Sequence, residues 1–457
     1  MRYATVMNSL EWRVACSLAA VYAVRMLGLF MILPVFALQA KHLPGATETL
    51  IGIAIGIYGL TQASLQIPLG LVSDRWGRKP IILGGLAIFA LGSLVAALAD
   101  SITGIIIGRF LQGMGAIAAA TMALAADLTR EEHRTKVMAV IGISIGLSFM
   151  LAMVVGPLLN AWAGLSGIFW VTLGLAIVGI LLISFAVPTP PRSIAHRDAG
   201  IVSDYLGKAL GNHSLLRLDA GIFFLHLIMT ANFLVLPPLF KNELGITTSE
   251  HWKIYLPVFT GSFVCAIPLI ILAEKRQLIK PLLLLAIISL IVAELMLALA
   301  HAYLPLLLLG FLLFFIGFNF LEAVQPSLVA KYVSVDAKGT AMGIYSSSQF
   351  LGIFAGGLLG GMIQQQWPIN GVFYFSVLMG VLWFLLAYHL PRPQFYSSRI
   401  IKLKQSNTDW QDLQQQLLAI HGVHEASIAT QEGVAYLKVD KKQLDEHALR
   451  AFSQTSA

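Results

Sequence analysis

Gly70-Leu71-Val72-Ser73-Asp74-Arg75-Trp76-Gly77-Arg78-Lys79 separates two long apolar runs, near residues 47–72 and 80–99. Each run is long enough to cross a bilayer, which takes roughly 20 apolar residues in a helix. The decapeptide therefore reads as a short charged hairpin between two membrane spans. Asp74 falls at the C-terminal end of the first span, where the helix dipole disfavours an anion. It needs cationic partners, and Arg75, Arg78 and Lys79 are close at hand.

The rest of the chain repeats the pattern of that hairpin. Of 457 residues, 57% are hydrophobic and only 12% charged, against about 25% charged in a soluble domain. Further spans are expected near 13–38, 102–126, 135–160 and 165–187. Six more follow a polar stretch, near 215–240, 251–273, 281–300, 303–330, 340–363 and 368–390. The expected fold is an all-α membrane protein of twelve transmembrane helices. Its parts are a six-helix half over 1–187, a linker over 188–214, and a second half over 215–390. Forty glycines suit helices that pack closely in lipid.

The net charge of +7 is not a nucleic-acid signal, because its distribution follows the membrane. With the N-terminus placed inside, the inner segments of the two halves hold 17 of the 30 Lys and Arg residues. The outer loops hold only Lys41, Lys241 and Lys253. That asymmetry puts both termini in the cytoplasm. No cleavable signal peptide is evident. Cys16 and Cys265 sit in apolar runs and form neither a disulfide framework nor a metal site.

The halves echo each other. Arg134-Thr135-Lys136-Val137-Met138-Ala139 opens the fifth span and Lys338-Gly339-Thr340-Ala341-Met342-Gly343 the eleventh, and at the same offset Gly156 matches Gly360. Duplicated halves of this kind place a substrate site between them, near the midplane.

After Pro391-Arg392-Pro393 the composition becomes that of a small soluble domain, residues 394–457. Arg399–Lys404 reads as a strand. Asp409–Ile420 reads as an amphipathic helix with Trp410, Leu413, Leu417 and Ile420 on one face, stopped at His421-Gly422. Val423–Thr430 and Val434–Val439 read as a hairpin through Glu432-Gly433, and Leu444–Phe452 as a second helix. The order is βαββα, a ferredoxin-like arrangement lacking its last strand.

The Gly70–Lys79 loop resembles the signature cytoplasmic loop of the major facilitator superfamily. Arg109-Phe110-Leu111-Gln112-Gly113-Met114-Gly115-Ala116 in the fourth span resembles a second motif of that family. Leu27-Gly28 with Pro34-Val35 resembles the mark of its twelve-span drug-efflux members, and Gly156-Pro157 the core of its antiporter motif. The antiporter match is partial, since Ala152 and Asn160-Ala161 stand where glycines are usual. With the tail, the chain is similar to drug/proton antiporters that carry a ferredoxin-like domain. The resemblance implies a pseudo-symmetric fold in a bacterial inner membrane, alternating access, and a central cavity lined by spans one, four, seven and ten. It also implies that Gly70, Asp74, Arg75, Gly77, Arg78 and Lys79 clamp the inside-closed state. Asp127 and Arg134, at the inner ends of spans four and five, are expected to join Arg78 in one charge cluster.

Ionisable groups within spans are functional candidates by default. Arg25, Arg109, His226 and Glu322 fall on the four cavity spans, one each. Glu322 and His226 are candidates to carry a proton, with Arg25 holding the balancing charge. Arg109 reads equally as a coupling residue or as a holder of backbone carbonyls. Tyr58, Gln62 and Gln66 share one face of span two. With Asn232, Asn319 and Gln349 they are candidate substrate contacts, and Phe30, Phe233 and Phe350 candidate aromatic wall. Such stripes serve as often to glue helices together. Glu294, on a peripheral span, faces lipid, is protonated, or pairs with a neighbouring span, and no function is assigned to it.

His421 and His424 lack a thiolate partner, so the tail is read as a self-association or regulatory module rather than a metal carrier. No nucleotide-binding loop or catalytic constellation is present, so the chain is not read as an enzyme and no cofactor is expected. The expected partners are a small-molecule substrate, protons and the bilayer. Three functions compete: proton-driven export of small amphipathic molecules, uncoupled facilitation or import of sugars or organic acids, and membrane sensing through the tail.

Overall fold

The computed structural model describes residues 7–189, 203–300, 303–333, 337–393, 396–403, 410–429, 434–440 and 443–452. Residues 190–202, 404–409 and 430–433 lie outside them, and with them the middle of the expected linker, the strand end at Lys404, the helix start at Asp409 and the turn at Glu432-Gly433; the rest of the expected linker, 203–214, is described and is largely helical.

The first half comprises α1 (Ser9–Phe30), α2 (Phe36–Gln39), α3 (Glu48–Trp76), α4 (Arg78–Ala97), α5 (Ile102–Met114), α6 (Ala118–Asp127) and α7 (Glu131–Leu181). After α8 (Ser203–Leu210), the second half comprises α9 (His213–Asn242), α10 (Trp252–Lys275), α11 (Ile279–Ala300), α12 (Leu304–Tyr332), α13 (Lys338–Gln366) and α14 (Asn370–Tyr388). Among the described residues eleven helical stretches are long and apolar enough to cross a membrane. One of them runs through α7, whose 51 residues reach roughly 75 Å at 1.5 Å each, more than twice the ~30 Å hydrocarbon core. Gly164 divides it with φ 66° and ψ −170°, a conformation that only glycine takes without strain. Spans five and six are thus joined almost without a loop, and the spans number twelve.

Two spans are broken where apolar periodicity predicts continuous helices. The first ends at Phe30, turns through Met31–Val35 and resumes as α2. Pro34 lies in the break, where its missing N–H and its ring disrupt the ladder. The fourth stops at Met114 and restarts at Ala118, leaving Gly115-Ala116-Ile117 outside any helix. Non-helical backbone at membrane depth is tolerated where protein covers it, and Ala116 and Ile117 are each only 1% exposed.

The halves meet chiefly along α3 and α13. A Cβ on Gly52 would overlap the carbonyl oxygen of Gly357, and one on Gly361 would overlap that of Glu48. Thr49 Oγ1 donates to Gln365 Oε1 at 2.5 Å, and Ser347 Oγ to the Ala63 carbonyl at 3.3 Å. These contacts run from mid-bundle to the end carrying Glu48 and Gln366, called here the far end. Phe149 of α7 extends the seam, meeting Phe233, Phe259 and Phe315 at ring-centroid separations of 6.3, 5.3 and 6.3 Å.

The tail folds as β1 (Ser397–Lys402), α15 (Trp410–Leu418), β2 (Val423–Ala429), β3 (Val434–Val439) and α16 (Glu446–Arg450). The sheet order is β1-β3-β2, antiparallel throughout, with Ile400 opposite Tyr436 and Ser427 opposite the same residue on the other side. β1 and β2 are therefore parallel with β3 inserted between them, the split βαβ of a ferredoxin-like sheet. Leu413, Leu417 and Ile420 pack on Ala426, Leu437 and Val439. Trp410 does not join them; it is 40% exposed at the first turn of α15. Gly422, at φ 85°, ends that segment against the Leu444 backbone. Lys438 Nζ donates to the Lys331 carbonyl at 3.4 Å, which places the tail at the end of the bundle where α12 finishes.

Candidate functional site

Spans seven, ten and eleven bring three polar side chains together in the second half. Gln349 Nε2 lies 2.8 Å from His226 Nε2 and donates to Glu322 Oε1 at 3.1 Å. His226 Nε2 stands 3.8 Å from Glu322 Oε2, and His226 Nδ1 is 3.3 Å from the Ile222 carbonyl. An imidazole that gives its Nδ1 hydrogen to Ile222 leaves Nε2 as an acceptor for the Gln349 amide. The amide nitrogen then satisfies a neutral histidine and a carboxylate at once. If His226 is protonated at Nε2, the amide must turn its oxygen toward the new donor, whereas Glu322 can take a proton on Oε2, which has no hydrogen-bond partner, and keep Oε1 as the acceptor for Gln349. The Glu322 side chain is 40% exposed while that of His226 is 7%. Next to Gln349, Phe350 packs edge-on against Tyr58 of the other half, centroids 6.1 Å apart.

The first half holds a second cluster. Arg25 Nη2 donates to Tyr58 Oη at 2.8 Å, to Gln62 Oε1 at 2.8 Å and to the Gly115 carbonyl at 3.0 Å. Gln62 Nε2 continues to Gln66 Oε1 at 3.4 Å. The break after α5 explains this cation. It frees the Gly115 carbonyl at a half-helix C-terminus, the negative end of the dipole, and Arg25 answers it. Its guanidinium also lies 5.6 Å from the Phe89 ring centre. The balancing role for Glu322 expected of Arg25 is not what this geometry provides: its partners all lie in its own half.

Arg109 is likewise 2% exposed and spends its donors on the backbone. Nε reaches the Ala54 carbonyl and Nη2 that of Ile55, each at 3.3 Å, while Nη1 binds Gln112 Oε1 at 2.9 Å. Of its two sequence readings, this is the geometry of the carbonyl holder, bolting span four to span two.

The substrate-contact candidates divide. Tyr58, Gln62, Gln66 and Gln349 belong to the clusters above. Asn232 does not face the space between the halves; it donates to Glu294 Oε1 at 2.6 Å on span nine. Glu294 is 0% exposed, so it pairs with a neighbour rather than facing lipid. Asn319 turns to Ser262 on span eight at 2.9 Å, away from Glu322. Phe30 meets Phe149 at 5.0 Å and Phe233 meets Tyr255 at 6.5 Å, both within the aromatic seam.

At the loop that opened the sequence, Arg78 ion-pairs with Asp74 and reaches Asp127 Oδ2 at 3.3 Å. Its Nη1 also donates to Ser73 Oγ at 2.8 Å, and Ser73 donates to the Gly70 carbonyl at 2.6 Å. Gly77, φ 94°, makes the turn between α3 and α4. Lys79 Nζ caps the end of span six on the Ser184 and Val187 carbonyls at 3.1 and 2.8 Å. Arg75 lies in the last turn of α3, and Arg134 is buried in the first turns of α7. Sequence reading missed a neighbouring cluster. Glu11 accepts from Arg130 Nε and His133 Nδ1 at 2.9 Å each and closes a capping box with Asn8. The box pattern was legible locally; the 119 residues to Arg130 hid the rest. Gly156 packs against the Met31 carbonyl beside buried Pro157, where span five crosses the break in span one.

Comparison with known proteins agrees with this architecture. The family model of the Major Facilitator Superfamily matches residues 18–217 and 218–421, and that of the YajR YAM domain matches 399–452. The chain is 45% identical to the inner membrane transport protein YajR of Escherichia coli (strain K12), over 94% of this chain and 95% of that one. It is 26% identical to the multidrug resistance protein MdtH of Aeromonas salmonicida (strain A449), over 76% and 86%. In fold it is similar to a bacterial homologue of the human lysosomal transporter Spinster, solved in an inward-facing and occupied conformation. The TM-score is 0.69 at 14% identity, covering 85% of this chain and 98% of that one.

Proposed function

The chain belongs to the major facilitator superfamily as a multi-pass inner-membrane transporter with a C-terminal YAM domain, and from that premise we propose that it exports small amphipathic molecules in exchange for protons, by alternating access. The observation that carries this reading is the Gln349 amide held between His226 and Glu322. A proton can drive a rocking motion only if it binds the two conformations differently. Here a proton on His226 Nε2 changes which hydrogen bonds Gln349 makes, and one on Glu322 removes the negative charge to which Gln349 donates. Gln349 adjoins Phe350, which touches the opposite half at Tyr58, so the coupling element sits on the surface that must slide.

In this proposal the end bearing the tail is cytoplasmic, as the Lys and Arg distribution suggests, and the sealed far end faces outward. Asp74, Arg78 and Asp127 then gate the inner side. The Phe30 and Phe149 rings, with the exposed part of the Glu322 side chain, supply apolar and polar groups that suit an apolar solute with a polar handle. Likeness to a multidrug resistance protein supports the same class of cargo.

The test is accumulation of a panel of dyes and drugs in cells stripped of other efflux pumps, with and without a protonophore. Protonophore-sensitive export by the wild type, abolished in Glu322→Gln, is the expected result. Export that persists after the gradient is collapsed would replace exchange with uncoupled facilitation.

A further inference from the structure

Asn232 and Glu294 meet as two planar groups in a buried site between spans seven and nine. Asn232 is 2% exposed and Glu294 0%. Asn232 Nδ2 donates to Glu294 Oε1 at 2.6 Å. That bond leaves one oxygen on each side chain, Asn232 Oδ1 and Glu294 Oε2, and both are buried without a hydrogen-bond partner. Neither lies within salt-bridge reach of a cation among the described residues. Leu290, Ala293 and Leu297, which flank Glu294 on its own face of span nine, are apolar and buried.

An orphaned acceptor on each of two bonded side chains is what an ionised carboxylate would leave here, and a bare charge in such a site is strongly unfavourable. A single proton resolves both. Placed on Oε2, it turns that oxygen into a donor toward Oδ1 and closes a ring of two hydrogen bonds between acid and amide. We propose that Glu294 is a second proton-binding site, occupied throughout the transport cycle, whose neutral acid–amide pair bolts span seven to span nine.

The consequence concerns span seven. His226 and Asn232 are six residues apart, which sets them about 120° apart around the helix. One face of the span carries the proton-responsive group, and another is held to the periphery by a pair with no net charge. A permanent proton at Glu294 lets spans seven and nine move as one body while Glu322 titrates. This inference stands apart from the transport reading, because it concerns a resting protonation state and holds whatever the cargo.

The test is infrared spectroscopy of the purified full chain in lipid at neutral pH, comparing the wild type with Glu294→Gln. Glutamine is the closest isostere of the neutral acid and can form the same two-bond ring with Asn232. The expected difference is loss of a protonated-carboxyl carbonyl band, with membrane level and thermal stability unchanged, and that band is retained in Glu322→Gln. Loss of a carboxylate band instead would overturn the proposal. So would failure of Glu294→Gln to fold, since a neutral amide would then not substitute for the native group. Asn232→Leu gives a second reading: it removes the ring partner and should lower stability in the wild-type background and in Glu294→Gln alike.

Discussion

Gly52 lies directly against the carbonyl oxygen of Gly357, backbone on backbone, at the far end of the seam between the halves. No side chain intervenes, so closure there depends on the absence of a Cβ. Gly52→Val is predicted to wedge this end open. Overpacking of this kind typically costs about 1–3 kcal/mol, which shifts a two-state equilibrium roughly 5- to 150-fold. The reporter is a cysteine at Thr49, whose labelling by a membrane-impermeant thiol reagent should rise in Gly52→Val at unchanged protein level. Unchanged labelling would mean that the far end opens and closes elsewhere.

Glu322 and His226 are predicted to separate by function. Glu322→Gln should abolish dependence on a proton gradient while leaving substrate exchange across membranes without a gradient, because the carboxyl is needed only to bind protons differently in the two states. His226→Gln offers Gln349 another partner and should retain gradient-driven transport with a displaced pH profile. Reconstituted vesicles with an imposed pH jump distinguish the two. Equal loss in both variants would assign the whole cluster to packing.

Twelve spans, two halves and the βαββα order of the tail follow from lengths of apolar runs and from periodicity, which act locally. Glu322, His226 and Gln349 stood out because a polar side chain in an apolar helix is costly enough to need a reason. Direction did not stand out. Asn232 and Asn319 lie on cavity spans, yet their amides turn to spans nine and eight, and only the packing of neighbouring helices decides that. The breaks at Met31–Val35 and Gly115–Ile117 were hidden because their residues are as apolar as the helices they interrupt.

The loop cluster is predicted to be a stability element as well as a gate. Arg78 and Asp127 side chains are each 1% exposed, and Arg78 also pairs with Asp74. Removing one partner of a buried pair costs about 3–5 kcal/mol, because the other charge is left bare. Arg78→Ala should therefore destabilise the protein more than Asp74→Asn, which removes the more exposed acid. Thermal unfolding in detergent gives the ranking. A milder effect for Arg78→Ala would show that water reaches Asp127.

The tail should respond to acid through Asp445. Its carboxylate caps α16, accepting from the Ala448 and His447 amides at 3.0 Å each, and those bonds hold it below the usual 3.8. A depressed carboxyl contributes stability that is complete above its unfolded value and is lost as pH falls through the folded one. The cap should therefore hold at neutral pH and weaken below about pH 4. Asp445→Asn keeps a capping oxygen and should remove that acid sensitivity, whereas Asp445→Ala should weaken α16 at every pH. Amide exchange at His447 and Ala448 in the full chain reads both effects.

Arg25 provides the sharpest separation between charge and shape. Its Nη2 alone serves Tyr58, Gln62 and the freed Gly115 carbonyl. Arg25→Met fills much of the volume but orphans those acceptors, at about 1–3 kcal/mol for each one left buried and unsatisfied. Arg25→Lys keeps the charge but replaces the flat fork with a shorter point charge that cannot meet all three. The predicted stability order is wild type, then Lys, then Met. If Arg25 answers the half-helix end at Gly115 rather than Glu322, Arg25→Met combined with Glu322→Gln should lose the sum of the two single effects. A double variant more stable than that sum would show that the two charges are coupled across the cavity.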